Sequence, residues 1–264
     1  MDTFFAFLQK YNLMGPPPSK TAVDCYKQGG LCFNKEYNDL VSLEVVLGGH
    51  AAYVVILMIL KAFMKGRPAF EMKGAMKLYN TVQVVVSVME TVALGPFLAN
   101  YLFNLNGEFN ATIEFWIGVH YLTKFLDFFD SFFMVLRHKS DQLSFLHVYH
   151  HLTIGLIWGL LLRAGIANGA AFFGAWINSL VHSLMYFHYL WTSFGLNNPF
   201  KKYLTLFQMF QFSLCILQAV LVFPFDGNIP KPWATLQLCY HITLLALFRA
   251  FYVADRKKEK KRKD

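Results

Sequence analysis

Charge is scarce in this chain. Asp, Glu, Lys and Arg make up 15% of its 264 residues, where a water-soluble domain carries about a quarter. That excludes an ordinary soluble fold. The 56% hydrophobic content and the 28 Phe point to an all-α polytopic membrane protein with an aromatic, lipid-facing surface. Cysteine is also rare, at four residues, which excludes a disulfide scaffold. Cys25 and Cys32 lie in the polar N-terminal segment, where they form one disulfide in a lumenal setting or stay as two thiols. Cys215 and Cys239 lie in apolar stretches and are expected to be packing residues. Internal repeats are absent. Met1 to Leu13 has no basic n-region and only a short apolar run, so no cleavable signal peptide is expected. The net charge of +8 is concentrated in the tail from Arg256 to Asp264. Without a folded platform or interleaved aromatics, such a run is a solvated cytosolic tail rather than a nucleic-acid site.

What is present is a set of long apolar runs. A helix needs about 20 apolar residues to cross the hydrocarbon core. Seven such spans are expected, at 42–63, 79–102, 113–136, 144–163, 168–190, 203–224 and 233–254. They define an N-terminal lumenal segment (1–41), a seven-helix domain (42–254) and a basic tail (255–264). The positive-inside rule orients them. With the C-terminus cytosolic, the cytosolic loops hold Lys61, Lys65, Arg67, Lys73, Lys77, Arg137, Lys139, Lys201 and Lys202. The opposite loops between spans hold Arg163 and Lys231, and the N-terminal segment adds four Lys. Asn110-Ala111-Thr112 is a glycosylation sequon that this topology places in the lumen.

Ionisable residues inside a bilayer are costly and mark function by default. His147-Val148-Tyr149-His150-His151 opens span 4 with three imidazoles at i, i+3 and i+4, on one helix face. They lie roughly 5–10 Å in from the cytosolic end. Span 3 adds Lys124, Asp127 and Asp130 at spacings of three. Span 5 adds Asn178 and His182, then Met185, Tyr186 and His188. Span 6 adds Thr205, Gln208 and Gln211. Four helices thus offer polar faces at one depth in the cytosolic half, while the lumenal halves are plainer. Each face taken alone has a structural reading as a salt bridge or interhelical hydrogen bond. Together they favour a shared site open to the cytosol.

Three chemistries compete for that site. A di-iron desaturase or hydroxylase needs about eight His in three boxes, but here His50, His120, His138 and His241 are scattered singly. No metal is expected. A Cys–His condensing site would use Cys215, but that thiol lies deeper than the imidazoles. Imidazole acid–base or nucleophilic catalysis remains, with Asn and Gln donors for a developing oxyanion. A receptor of seven spans is the non-enzymatic alternative, and it has no need of four aligned polar faces.

Four motifs in order resemble those of the ELO family, the elongases of very-long-chain fatty acids. Ser144 through His151 is similar to the family's histidine box without departure. Thr205-Leu206-Phe207-Gln208-Met209-Phe210-Gln211 matches T-x-x-Q-x-x-Q. Asn178 through Tyr189 is similar to N-x-x-H-x-x-M-Y-x-Y-Y, with His188 in place of a Tyr. Lys124 through Ser131 is similar to K-x-x-E-x-x-D-T, with Asp127 for Glu and Ser131 for Thr. The resemblance implies a 3-ketoacyl-CoA synthase that condenses an acyl-CoA with malonyl-CoA as co-substrate, without a cofactor. It implies six helices in a barrel around an acyl tunnel closed on the lumenal side. It also implies an endoplasmic reticulum location and coupling to a ketoacyl reductase, a dehydratase and an enoyl reductase, and it allows a homodimer. On this resemblance His150 is the expected nucleophile or base, with His182 assisting. His147 and His151 tune the site. Asn178 and Gln211 position the substrate or donate to the oxyanion, and Lys124, Asp127, Asp130, Tyr186 and Gln208 complete the binding set. Gln142 looks like the form common in members acting on polyunsaturated chains.

Overall fold

A computed structural model of the chain describes residue 27 and residues 29–100, 102–105, 109–224 and 230–261. Met1 to Leu13, Cys25 and the last three tail residues lie outside the described residues. Cys32 is disulfide-bonded, and Cys215 and Cys239 are free thiols.

Among the described residues, seven helices of 19 to 31 residues dominate. They are α1 (Leu43–Phe63), α2 (Lys73–Leu94), α3 (Ala111–Leu136), α4 (Phe145–Arg163), α5 (Ala171–Ser193), α6 (Lys201–Val222) and α7 (Lys231–Lys261). A 3-10 segment, Lys35–Val41, precedes α1, and a single helical turn, Phe97–Asn100, follows α2. The sequence marks these boundaries chemically. Ser42, Asn110 and Ser144 cap α1, α3 and α4 by accepting first-turn backbone N–H groups. Gly165 and Gly195 follow α4 and α5 with φ of 70° and 80°, the left-handed turn that closes a helix C-terminus and that a side chain disfavours.

Three boundaries differ from expectation by six residues or more. α2 runs from Lys73 to Leu94 rather than over 79–102: Lys73 and Lys77 fall inside its first turns, and it stops ahead of Gly95-Pro96, where the proline has no N–H to continue the helix. α7 runs to Lys261, so residues 255–261 of the expected tail continue the last helix.

The helices α2 to α7 form a closed circuit of contacts, α2 on α5, α5 on α6, α6 on α7, α7 on α4, α4 on α3, and α3 back on α2, with α3 also reaching across to α5. α1 stands outside, against α3 and α4. The loops fall at two ends. At the first, Phe70 N–H donates to the Leu136 carbonyl (2.9 Å), His138 Nε2 meets the Arg67 carbonyl (2.8 Å), and Lys77 lies over the Phe194 ring (4.4 Å). This is the basic end. At the opposite end, Glu114 accepts from the backbone N–H groups of Cys32, Phe33 and Asn34, and Asn168 pairs with the Asn110 backbone. The main apolar core lies toward that opposite end, around Leu94, Ile113, Ile117, Tyr121, Leu162 and Phe172.

α2 shows what solvent the fold expects. Its buried residues are Asn80, Gln83, Ser87, Glu90 and Leu94, while Leu78, Val85 and Val92 are exposed. Polar groups face in and apolar groups face out, the reverse of a soluble helix. Five of the described helices are long and apolar enough to cross a membrane. The remaining long ones, α3 and α5, fall short because they carry the buried polar residues. The protein is a polytopic membrane protein.

Gly155 and Gly159, one turn apart on α4, allow close approach to α1 and α3. A Cβ on Gly159 would lie 2.8 Å from both Tyr121 Cε2 and Val46 Cγ2. Gly159→Ala is therefore expected to destabilise the fold. Overpacking costs about 1–3 kcal/mol, more than the gain of up to about 1 kcal/mol in helix propensity. A lower Tm of the purified chain in detergent is the readout.

Candidate active site

The four polar faces come together in the half of the molecule nearer the basic end. Lys124 on α3 is 2% exposed, and its Nζ donates to Asp127 Oδ2 (3.3 Å) and Asn178 Oδ1 (3.0 Å). A buried cation is costly unless paired and hydrogen-bonded, and both conditions are met here. Asp127 Oδ1 accepts from Gln83 Nε2 of α2 (2.7 Å). The Tyr186 hydroxyl of α5 lies 2.7 Å from Asp130 Oδ2 and 3.1 Å from Asp127 Oδ1; with one proton, it donates to one carboxylate at a time. Gln83 also donates to Tyr79. Lys124, Asp127, Asp130, Asn178 and Tyr186 are thus one network, which ties α2, α3 and α5 together.

The histidine box divides in two. His147 Nε2 lies 2.9 Å from Ser131 Oγ, which also pairs with the Tyr53 hydroxyl of α1 (2.8 Å). His151 is buried and its ring lies 4.1 Å from that of His147. Both face α3. His150 turns the other way, onto α7, where its ring meets Phe248 at 6.2 Å. Helical phase explains the split. At about 100° per residue, His150 and His151 are a quarter-turn apart, although both are near His147.

His150 lines a cavity between α4, α5, α6 and α7. Asn178 and Gln211 line it from α5 and α6, and His241 from α7. Its walls are mostly apolar, with Ile154, Trp158 and Leu244 among them, and Gln218 and Gln237 also line it. From His150 to Leu161, the wall on α4 runs eleven residues, about 16 Å. His182 is not in that lining. It is turned toward Asp127, with Nδ1 4.0 Å from Oδ2, and its ring lies 5.6 Å from that of Tyr186. Gln208 reaches Met185 instead (Nε2–Sδ 3.6 Å). Cys215 is buried outside the lining.

Several polar residues escaped the sequence reading. The stripe Asn80, Gln83, Ser87 and Glu90 was available as spacings of three and four on one face of span 2, submerged in a Val-rich run. The halves of the spans away from the basic end are also not uniformly plain. Glu90 of α2 and His120 of α3 pair at 2.9 Å, and the Ser179 hydroxyl of α5 donates to the same Glu90 oxygen. Both ionisable residues are at least 98% buried, with 2% and 1% exposed. Their spans read as plain because each carries only one such group there, and the pairing is tertiary. His241 likewise read as a lone residue. Its Nδ1 lies 2.7 Å from the Gln237 carbonyl, a contact in which the imidazole N–H donates.

Folded and charged in this way, the molecule is a multi-pass membrane protein with a buried polar layer at the head of an apolar cavity. Such a site suits a ligand with a polar head and an apolar chain. Sequence comparison gives the family. The model of the ELO family, described as GNS1/SUR4, matches residues 40–264. The chain is 58% identical over 241 residues to fatty acid elongase 5 of Leishmania major, covering 91% of this chain and 97% of that protein. It is 54% identical over 238 residues to fatty acid elongase 5 of Trypanosoma cruzi (90% and 94% covered). It is 33% identical over 227 residues to very long chain fatty acid elongase 5 of Mus musculus (80% and 75% covered). The chain belongs to the ELO family of fatty acid elongases.

Proposed function

We propose that the chain is the condensing enzyme of fatty acid elongation, joining a long-chain, polyunsaturated acyl-CoA to malonyl-CoA. The observation that carries this is the convergence of His150, Asn178 and Gln211 from three helices on the head of one apolar cavity. A thioester held there has an imidazole for attack and two amides as hydrogen-bond donors, with its chain lying along the apolar walls.

In the first step a ring nitrogen of His150 bonds to the thioester carbonyl carbon and the C–S bond breaks. This gives an acyl-imidazole and CoA thiolate, which takes up a proton. Malonyl-CoA then loses CO₂. The electron pair of the broken C–C bond becomes the carbon nucleophile that attacks the acyl-imidazole, releasing 3-ketoacyl-CoA and restoring His150. No net redox change occurs, so the reaction needs no redox cofactor. His182 assists through the Asp127 network, His147 and His151 hold the α4–α3 contact, and Lys124, Asp127, Asp130, Tyr186 and Gln208 maintain the surrounding helices. The circuit of α2 to α7 supports the reading of a six-helix barrel within seven spans. The far end of its tunnel is lumenal, the N-terminus is lumenal and the C-terminus cytosolic. Gln142, at the basic end ahead of the box, supports the polyunsaturated preference.

In the endoplasmic reticulum the product would pass to a ketoacyl reductase, a dehydratase and an enoyl reductase. The test is direct. The purified chain is given radiolabelled malonyl-CoA and a polyunsaturated acyl-CoA. A labelled 3-ketoacyl-CoA two carbons longer is expected. Absence of malonyl-dependent product from correctly folded protein would defeat the proposal.

A further inference from the structure

Two imidazoles line the cavity, and the proposed mechanism uses one of them. His241 of α7 shares the lining with His150 of α4, whereas His182 does not. The chemistry of His241 is fixed by its own helix. Its Nδ1 lies 2.7 Å from the Gln237 carbonyl, one turn back. A carbonyl can only accept, so Nδ1 carries the ring proton and Nε2 carries a lone pair. Among the described residues, no hydrogen bond reaches Nε2 of His241 or either ring nitrogen of His150. An acceptor left open in a mostly apolar cavity is costly, and packing alone does not account for it.

Two contacts set the depth of His241. The Tyr240 hydroxyl of α7 meets Thr153 Oγ1 of α4 (3.0 Å), and Phe248 of α7 meets His150. His150 is three residues before Thr153, and His241 is seven before Phe248, steps of about 5 and 10 Å. His241 therefore lies about 5–10 Å from His150 along the bundle, toward the far end of the cavity. A charge on one ring acts on the other. Imidazoles on facing helices bridge such an offset directly or through one water.

Attack by His150 leaves a proton to place. Neutral His150 bonds to the thioester carbon through one ring nitrogen while the other still holds its N–H, so the ring becomes a cation. Acylation makes that N–H strongly acidic. A buried charge needs hydrogen bonds; His150 has none for it, and His241 has the Gln237 carbonyl. We propose that His241 is the proton acceptor for His150, and so a further catalytic residue of the condensation. This rests on the condensing-enzyme reading above. The N–H proton of His150 passes to Nε2 of His241 as the C–S bond breaks. The coenzyme thiolate leaves with the electron pair and takes its proton from water at the basic end. When the carbon nucleophile from malonyl-CoA attacks the neutral acyl-imidazole, the C–N bond breaks and its electron pair returns to His150. His241 then gives the proton back. One proton is stored on His241 between the two half-reactions, with the Gln237 carbonyl orienting the ring that holds it.

The experiment separates the half-reactions. The wild-type chain, His241→Gln and His241→Phe are each mixed with acyl-CoA alone and quenched rapidly, and the acyl adduct on His150 is followed by mass spectrometry. Overall rates with radiolabelled malonyl-CoA are measured alongside. Gln keeps a hydrogen-bonding group and Phe keeps a ring, but neither takes up the proton. Tm shows which variants are folded, and one suffices. Adduct formation and kcat are both expected to fall about 10²-fold or more, with KM for acyl-CoA within a few-fold of wild type. The wild-type adduct rate is expected to slow in D₂O, and the variants to lose that slowing. A folded variant whose adduct rate stays within a few-fold of wild type overturns the inference. A slower variant with an unchanged D₂O effect also overturns it and leaves His241 a packing residue. So does a wild-type chain that makes product with no adduct on His150, although the condensing-enzyme reading then stands. If the wild-type chain forms neither adduct nor malonyl-dependent product, that reading itself has failed.

Discussion

Replacing His150 by Ala is expected to lower malonyl-CoA-dependent chain extension by about 10⁴-fold, to the limit of detection, while leaving the fold intact. Of the three imidazoles in the box, His150 is the one that lines the cavity. Its packing contacts are rings, Phe248 at 6.2 Å and His151 at 5.5 Å, so its loss strands no buried ion pair. His147→Ala acts by another route. It removes the α4 partner of Ser131 Oγ and loosens α4 against α3, so lower thermal stability should accompany its loss of rate. Initial rates with radiolabelled malonyl-CoA, read beside Tm, separate the two. A His150→Ala chain that retained rate within about tenfold of wild type would exclude both nucleophile and base roles. Mass spectrometry of protein quenched with acyl-CoA alone distinguishes those roles, since only a nucleophile leaves an acyl adduct on His150.

Asn178→Asp is expected to lower kcat by about 10²–10³-fold with little loss of stability. The argument is one of donors and acceptors. Lys124 Nζ can only donate, so the Asn178 oxygen must face it, as the 3.0 Å contact has it. The amide NH₂ is thereby turned away from Lys124, and Asn178 lines the cavity. Aspartate has nearly the same shape and keeps the acceptor for Lys124, but it has no donor to offer a developing oxyanion. If Asn178 served only to join α3 to α5, Asn178→Asp would do that job at least as well, and kcat would stay within a few-fold of wild type. Asn178→Ser, which supplies a shorter donor, should fall between wild type and Asn178→Asp.

Much of the fold was legible in the sequence, and the reason is the solvent. Lipid forces long apolar runs, and the runs fall where α1, α3, α4 and α6 lie. Polar residues inside those runs have few explanations, so Lys124, Asp127, Asn178 and Tyr186 stood out before their contacts were known. The errors also have physical causes. The start of α2 was missed because Lys73 and Lys77 look like loop, although both lie in the helix whose Tyr79 bonds Gln83 and the Leu126 carbonyl inside the bundle. Glu90 and His120 lie on different helices, and neither shows in sequence that the other is its partner. The box was harder still. Spacing puts His147, His150 and His151 near one another, but which neighbour each meets depends on how α4 is rotated. Gly155 and Gly159 help set that rotation, because α1 and α3 fill the space their side chains would take.

α3 carries Lys124, Asp127 and Asp130 buried or half-buried within its span, and it falls outside the set apolar enough to cross a membrane alone. At the centre of a helix, each Asp or Lys opposes insertion by about 2.5–3.5 kcal/mol. The groups that neutralise this cost come from Gln83, made before α3, and from Asn178 and Tyr186, made well after it. A ribosome that has just released α3 has therefore produced a helix with its acid–amide contacts to α2 available and its α5 contacts still to come. Its stable residence in lipid is a property of the bundle. Biogenesis has to hold α3 beside α2, or within the insertion machinery, until α5 arrives.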